Sequence, residues 1–296
     1  MRRAYLQMHI AILLWGFTGV FGKAIEMNAI MIVWYRMIIS ALALIPFMLR
    51  GKNFKLPAPN ELMKQAGVGI IVCLHWLLFY ASIKASNISI ALSCFSSVSL
   101  FSALLEPIIN KQKINKGNIF LAILVMSGIY IIFSFQKLYA VGILLSLGGA
   151  FLGAWFTIIN KKLVSSHEPA AVTFIELISG FVFLSLILPI LLPAFDFKFQ
   201  TPSAWDGLWL LLLSVVCTSV AFTLSLESLK KINAFTMNLS VNLEPLYSIV
   251  LAIFIFKENE LLNTGFYVGT LIVISSVFVY SGLQFKNRKK ALPLVP

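Results

Sequence analysis

VNLEPLYSIVLAIFIF, Val241–Phe256, is oily except for a glutamate and the proline after it. From Ile232 to Phe256, about 25 residues and long enough to cross a bilayer, Glu244 is the only charge. A charge at that depth is costly, so it faces a cavity or a partner. The stretch reads as a membrane-spanning helix that carries an acid for a purpose.

The rest of the chain has the same character. Hydrophobic residues make up 59% and charged residues 11% of its 296 residues. A soluble domain carries about 25% charged residues, so polar side chains are too few to clothe a globule. The expected class is an all-α integral membrane protein. Cys73, Cys94 and Cys217 each lie inside an apolar run without paired spacing. They read as small buried hydrophobes, with no disulfide framework, metal site or cofactor implied.

Charges, prolines and glycine clusters divide the chain into ten candidate spans. These are residues 4–24, 28–49, 66–86, 88–109, 117–136, 139–160, 170–193, 205–228, 233–256 and 263–284. The connections are short, and neither of the longest two, RGKNFKLPAPNELMK and PAFDFKFQTPSAWDG, can hold a soluble domain. The first span follows MRR but lacks a small-residue cleavage pattern, so it is expected to be retained as a helix. Ten spans put both termini on one side. Of the Lys and Arg residues, about 17 fall on that side and about five on the other, which places both termini in the cytoplasm. The net charge of +12 is then mostly a topology signal, and no nucleic-acid partner is expected.

The chain also repeats itself. WGFTGVFGK (Trp15–Lys23) matches GAWFTIINK (Gly153–Lys161) at a shift of 138. SIKASN (Ser82–Asn87) matches SLKKIN (Ser228–Asn233), and LFSALL (Leu100–Leu105) matches LYSIVL (Leu246–Leu251), both at a shift of 146. The expected repeats are residues 1–137 and 138–296, five spans each. An odd number of spans turns the second copy over in the membrane. Inverted repeats of this kind build secondary transporters, with the substrate held near mid-membrane between the halves.

LLWGFTGVFGKAI, YRMIISALAL and NLEPLYSIVLAIFIFKENE resemble the EamA-type branch of the drug/metabolite transporter superfamily. The resemblance covers nearly the whole chain. It implies ten helices in two inverted repeats, and export as the direction of transport. It rests on Trp15-Gly16 in the first span, Arg36 in the second, Pro245 in the ninth and Lys257-Glu258 just after it. The first repeat departs from the pattern: Ser99 stands where a Pro is frequent, and Lys111-Gln112 where a Gly-Glu is.

Glu244 is the first candidate site residue; it is either a substrate-site acid or a protonated, hydrogen-bonded structural residue at the Pro245 kink. On its helical face lie Met237, Ser240, Val241, Tyr247 and Ser248, a mixed polar and aromatic stripe suited to a cavity wall. Pro245 removes a main-chain donor and frees a carbonyl near Val241. Arg36 is the one cation well inside a span; it binds a carboxylate in a cavity or snorkels to the outer interface. His75 is either a proton carrier or a hydrogen-bonded core residue. Glu176 is either a second coupling acid or a partner for Lys161 or Lys162. Glu106, next to Pro107, falls outside the repeat register; it is expected either to sit at the membrane boundary or to pair with Lys111 or Lys113. Trp15, Trp155 and Tyr80 sit at depths compatible with a cavity. Gly16, Gly19 and Gly22, with Gly149 and Gly153, read as surfaces for close helix packing.

Only Arg36 supplies positive charge at depth, which disfavours phosphate-rich substrates. A small zwitterion fits better, its carboxylate toward Arg36, its amine toward Glu244 and an apolar side chain among aromatics. The expected function is therefore a secondary transporter, an exporter of amino acids or similar metabolites working by alternating access in a bacterial inner membrane. Efflux of cationic compounds is the alternative, and a non-transporting scaffold the next. Coupling is either to protons, through His75, Glu176 or Glu244, or absent. No HExxH, Gly-rich phosphate loop or Cys/His cluster points to an enzyme. A monomer or weak dimer is expected.

Overall fold

The computed structural model describes residues 1–50, 57–135 and 139–291, with residues 47–50, 122, 133, 277 and 280–291 described by their main chain alone. Lys52, Lys55 and Lys137, counted above as topology signals, and the expected repeat boundary at 137/138 lie outside the described residues. No strand occurs among the described residues. The helical spans are α1 (Arg2–Ala24), α2 (Ala29–Arg50), α3 (Pro59–Ala85), α4 (Ile88–Asn110), α5 (Lys116–Phe135), α6 (Ala140–Leu163), α7 (Pro169–Ala194), α8 (Ala204–Leu229), α9 (Ala234–Phe256) and α10 (Thr264–Ala291). Eight are long and apolar enough to cross a membrane, and α5 and α10 contain the shorter apolar stretches Lys116–Ile132 and Thr264–Ser276. The face bearing the amino terminus is called the near face below, and the opposite one the far face.

The third span starts at Pro59, several residues before the expected 66. Proline suits the first helical turn, where its missing N–H has no partner to lose, and Glu61 there complements the positive end of the helix. Three spans are interrupted. α1 breaks at Gly16–Phe17, α4 at Ser96–Ser97 and α9 at Asn242–Leu243. α8 keeps its course but contains a π-helical stretch, Val215–Val220.

The 146-residue register is visible in the backbone at three points. Asn87 caps α4 by accepting from Ile90 N, and Asn233 caps α9 by accepting from Thr236 N. The two breaks, at 96 and 242, stand the same distance apart. Each helix then ends on a lysine in the left-handed region, Lys111 (φ 52°) and Lys257 (φ 53°).

α4 and α9 lie antiparallel, the first half of each against the second half of the other. Each receives a carboxylate from its partner's far end. Glu258, just past α9, accepts from Ile88 N (3.1 Å), Ser89 N (3.0 Å) and Ser89 Oγ (2.6 Å) at the start of α4, and from Lys23 Nζ (2.7 Å). Glu106, near the end of α4, accepts from Phe235 N (2.9 Å) and Ala234 N at the start of α9. Of the two roles expected for Glu106, the ion pair with Lys111 or Lys113 does not form, and the residue sits near the end of its span. Opposite membrane faces thus carry matching clamps, each satisfying helix-start amides that have no partner within their own helix.

A hydrophobic core runs between α1–α4 and α6–α9. Large apolar side chains such as Val141, Leu186, Ile190 and Phe254 point outward, a surface suited to lipid. α5 and α10 pack against each other at Gly128 and Gly269, where an added Cβ on either would fall 2.5–2.6 Å from the other's carbonyl oxygen. That pair stands aside from the central cavity.

Candidate functional site

A cavity of about 70 Å³ lies between the two halves. It is lined from α1, α2, α3 and α4 on one side and from α6, α8 and α9 on the other. Trp15, Trp76, Phe79, Phe95, Phe156 and Phe222 form the aromatic part of its wall. Thr18, Thr157, Thr218, Ser225 and Asn238 supply hydroxyl and amide groups. Arg36, Glu244 and His75 are its titratable lining residues. Leu226, Leu229 and Met237 carry the lining toward the near end of α8 and α9.

Arg36 is 2% exposed, which rules out snorkelling. Its Nε donates to Thr218 Oγ1 (2.7 Å) and its Nη1 to Tyr80 OH (2.9 Å). The guanidinium carbon stands 3.8 Å from the centroid of Trp76, a cation–π arrangement. The π-helical stretch matters here. Thr218 Oγ1 donates to Leu213 O, five residues earlier, while accepting from Arg36. An extra residue in the helical ladder thereby presents a hydroxyl to the guanidinium, the kind of local distortion found at functional sites. With Nε and Nη1 engaged, Nη2 has no described partner.

Glu244 opens the second half of α9, directly after the break and at the positive end of that half-helix. Its Oε1 accepts weakly from Thr18 Oγ1 (3.5 Å). Among the described residues, no ion pair within 4 Å joins Glu244 to Arg36. The cavity thus holds a fixed cation and an acid that do not neutralise each other directly. Residues beside the breaks of α1, α4 and α9 line it, as in carriers whose half-helix termini face the substrate.

The other expected site residues are placed as follows. Trp15 and His75 line the cavity, and His75 Nδ1 pairs with Gly149 O (2.8 Å). Tyr80 lies behind the wall as a support for Arg36. Trp155 does not line the cavity: it is 39% exposed and packs on Phe151. At the shift of 138, Trp15 corresponds to Gly153 and Thr18 to Phe156, and both counterparts line the cavity. Trp155 corresponds to Phe17 instead, a step of about 100° around the helix from Phe156. Tyr247 packs against Gly16, and Ser248 donates to Gly16 O (2.5 Å), so both hold the break in α1 against α9. Glu176 lies outside the cavity and accepts from Asn160 Nδ2 (3.2 Å), with no ion pair to Lys161 or Lys162. The glycines do serve close packing. Gly19 faces Ile88 and Leu92, Gly22 faces Tyr80, and Gly153 faces His75. Thr218 and Asn238 escaped the sequence reading, because nothing in their spacing distinguishes them from other polar residues in spans.

Two five-span halves around a buried, mixed-charge cavity define a multi-pass membrane transporter. The profile of the EamA-like transporter family matches residues 2–134 and 140–282, once in each half, and the chain belongs to that family. A protein of Bacillus subtilis (strain 168) named "Uncharacterized transporter YxxF" is 21% identical over 290 residues, covering 95% of this chain and 88% of that protein. A solved chain titled "Crystal structure of protein" superposes with a TM-score of 0.71 at 14% identity, covering 95% of this chain and 98% of its own. That likeness concerns the fold alone.

Proposed function

We propose that the protein is a secondary exporter of small zwitterionic metabolites, foremost amino acids with apolar side chains. The observation that carries this reading is the pairing of Arg36 and Glu244 in one cavity without a direct ion pair. A ligand carboxylate takes Nη2 of Arg36, its ammonium takes Glu244, and its side chain meets Phe79, Phe95, Phe156 and Phe222. A cavity of about 70 Å³ favours a small ligand, since sites for drug-sized molecules hold about 300 Å³ or more. The charge asymmetry of the loops orients both termini toward the cytoplasm of a bacterial inner membrane. The near face is then cytoplasmic, and the lining that reaches Leu229 and Met237 leads toward it. Alternating access proceeds by releasing one of the two α4–α9 clamps while the other holds.

The test is a thermal-shift comparison on purified protein with L-leucine, leucinamide, which lacks the carboxylate, and 4-methylpentanoate, which lacks the amine. Leucine is expected to stabilise the wild type most. Arg36→Gln removes the advantage of leucine over leucinamide, and Glu244→Gln removes its advantage over 4-methylpentanoate. Stabilisation by amines alone, unchanged by Arg36→Gln, would establish cation efflux in place of zwitterion export. Equal responses in wild type and both variants would place the site elsewhere.

A further inference from the structure

Outside the cavity, where α3 packs between α6 and α7, lie buried polar atoms with unmet hydrogen bonds. Glu176, Asn160 and Gln65 are each 0% exposed. Glu176 Oε2 accepts from Asn160 Nδ2 at 3.2 Å. Among the described residues, Glu176 Oε1, Asn160 Oδ1 and both polar atoms of Gln65 have no partner. α3 and α7 touch here through their main chains: a Cβ on Gly69 would fall 2.3 Å from Glu176 O, and one on Gly180 2.7 Å from Gly69 O. Gln65 stands one turn before Gly69, on the same face of α3.

The neighbouring charges are committed elsewhere. On α3, Lys64 pairs with Glu61 (2.7 Å). On α6, Lys161 donates to Leu229 O and Lys162 to Ile109 O (3.3 Å). At the end of α8, Glu227 and Lys230 pair with each other (3.5 Å), and Lys230 also with Glu168 (3.5 Å). On α2, Arg36 is held by Thr218 and Tyr80. Beyond α6, His167 pairs through Nδ1 with Leu163 O (3.1 Å).

The unmet groups do not balance. Three acceptor oxygens lack a donor, against one amide nitrogen that lacks an acceptor. A proton on Glu176 Oε1 converts one unmet acceptor into a donor, among two carbonyl oxygens that need one. It also removes an enclosed negative charge that has no cation beside it. We propose that Glu176, with Asn160 and Gln65, is the proton-carrying site of the transport cycle, separate from the substrate cavity. The inference rests on the transporter reading above. It assigns coupling to Glu176 in preference to His75 and Glu244.

The geometry also supplies a route for coupling. Asn160 lies one turn from Thr157 on α6, and Gln65 shares α3 with His75 and Trp76; Thr157, His75 and Trp76 all line the cavity. Loading or emptying the carboxyl changes its hydrogen bond to Asn160 on α6, a helix of the cavity wall, and offers Gln65 on α3 a partner. No bond to substrate is made or broken: the proton enters from one side of the membrane, resides on Glu176 Oε1 and leaves on the other side.

Two measurements test this, and the first needs no substrate. Infrared difference spectra of purified protein in lipid, recorded between acidic and alkaline buffer, are expected to contain a protonated-carboxyl band. Glu176→Gln abolishes the band, Glu106→Gln leaves it, and Asn160→Leu shifts it, so the assignment survives if one of these variants fails to fold. A band unchanged in Glu176→Gln overturns the proposal. The second uses proteoliposomes and labelled L-leucine. Glu176→Gln is expected to keep leucine–leucine exchange within about twofold of wild type while losing accumulation driven by an imposed pH gradient. Undiminished gradient-driven accumulation in Glu176→Gln, or accumulation in wild type driven only by sodium, refutes it. If wild type moves no leucine at all, the substrate reading fails, and the infrared result still decides the proton site.

Discussion

Replacing Glu258 by Gln is expected to loosen the far-face clamp and expose the cavity from that side. The carboxylate is 0% exposed and serves four donors: two main-chain amides, the Ser89 hydroxyl and the Lys23 ammonium. A glutamine of the same shape offers one carbonyl oxygen and turns an NH₂ group toward the remaining donors. Hydrogen bonds to a charged group contribute about 1.5–3 kcal/mol net, against about 1 kcal/mol for neutral ones. Loss of two such bonds sums to about 3–6 kcal/mol. The lower end applies, because Lys23 is 31% exposed and can rehydrate. About 3 kcal/mol corresponds to a shift of roughly 100-fold in the ratio of closed to open far face. The same exchange at Glu106, a half-buried carboxylate serving two amides, costs about 1.5 kcal/mol by the same reckoning. The assay is the rate at which a membrane-impermeant maleimide, added to intact cells, modifies Phe95→Cys in the cavity wall, with Cys73, Cys94 and Cys217 replaced by serine. The rate is expected to rise at least tenfold with Glu258→Gln and to stay level or fall with Glu106→Gln. An unchanged rate with Glu258→Gln, in protein whose cysteine still reacts after solubilisation, would refute the clamp.

Other outcomes follow from the same geometry. Thr218→Val is expected to weaken binding of leucine about tenfold or more while leaving leucinamide unaffected, and Thr218→Ser to restore it, because only the hydroxyl anchors Nε of Arg36; calorimetric titration checks both. Gly22→Ala would put a Cβ 2.2 Å from the Tyr80 ring, and the displacement should cost about 1–3 kcal/mol and lower leucine affinity with it. Gly69→Ala, aimed at the Glu176 main chain, should abolish folded expression, whereas Gly67→Ala, with nothing within 4 Å, should gain about 0.5–1 kcal/mol from higher helix propensity. Size-exclusion profiles after a temperature ramp separate these two. Asn87→Ala and Asn233→Ala should each cost about 1 kcal/mol, similar in size because the two caps are counterparts.

The composition and the hydrophobic runs were enough to read ten spans, an inverted repeat and the register of 146 from the chain alone. These properties are local. Lipid demands about 20 apolar residues per crossing, and duplicated segments keep their order. That Glu244 and Arg36 face a cavity was legible for the same reason: a lone charge in an oily run is costly wherever the helix lies. Sequence did not reveal which neighbours share the cavity. Trp155 and Phe156 differ by one position and about 100° of helix rotation, and only packing against α3 selects Phe156 for the wall. The clamps were hidden too, since Glu106 and Glu258 are not counterparts in the register and become equivalent only when α4 and α9 lie antiparallel, end against start. The same holds for the unmet atoms of Gln65, Asn160 and Glu176, drawn from three helices that meet through the main-chain contact at Gly69 and the Asn160–Glu176 hydrogen bond. Solvent fixes the spans one residue at a time, whereas the site depends on which faces of distant helices meet, and that is decided when the two halves pack.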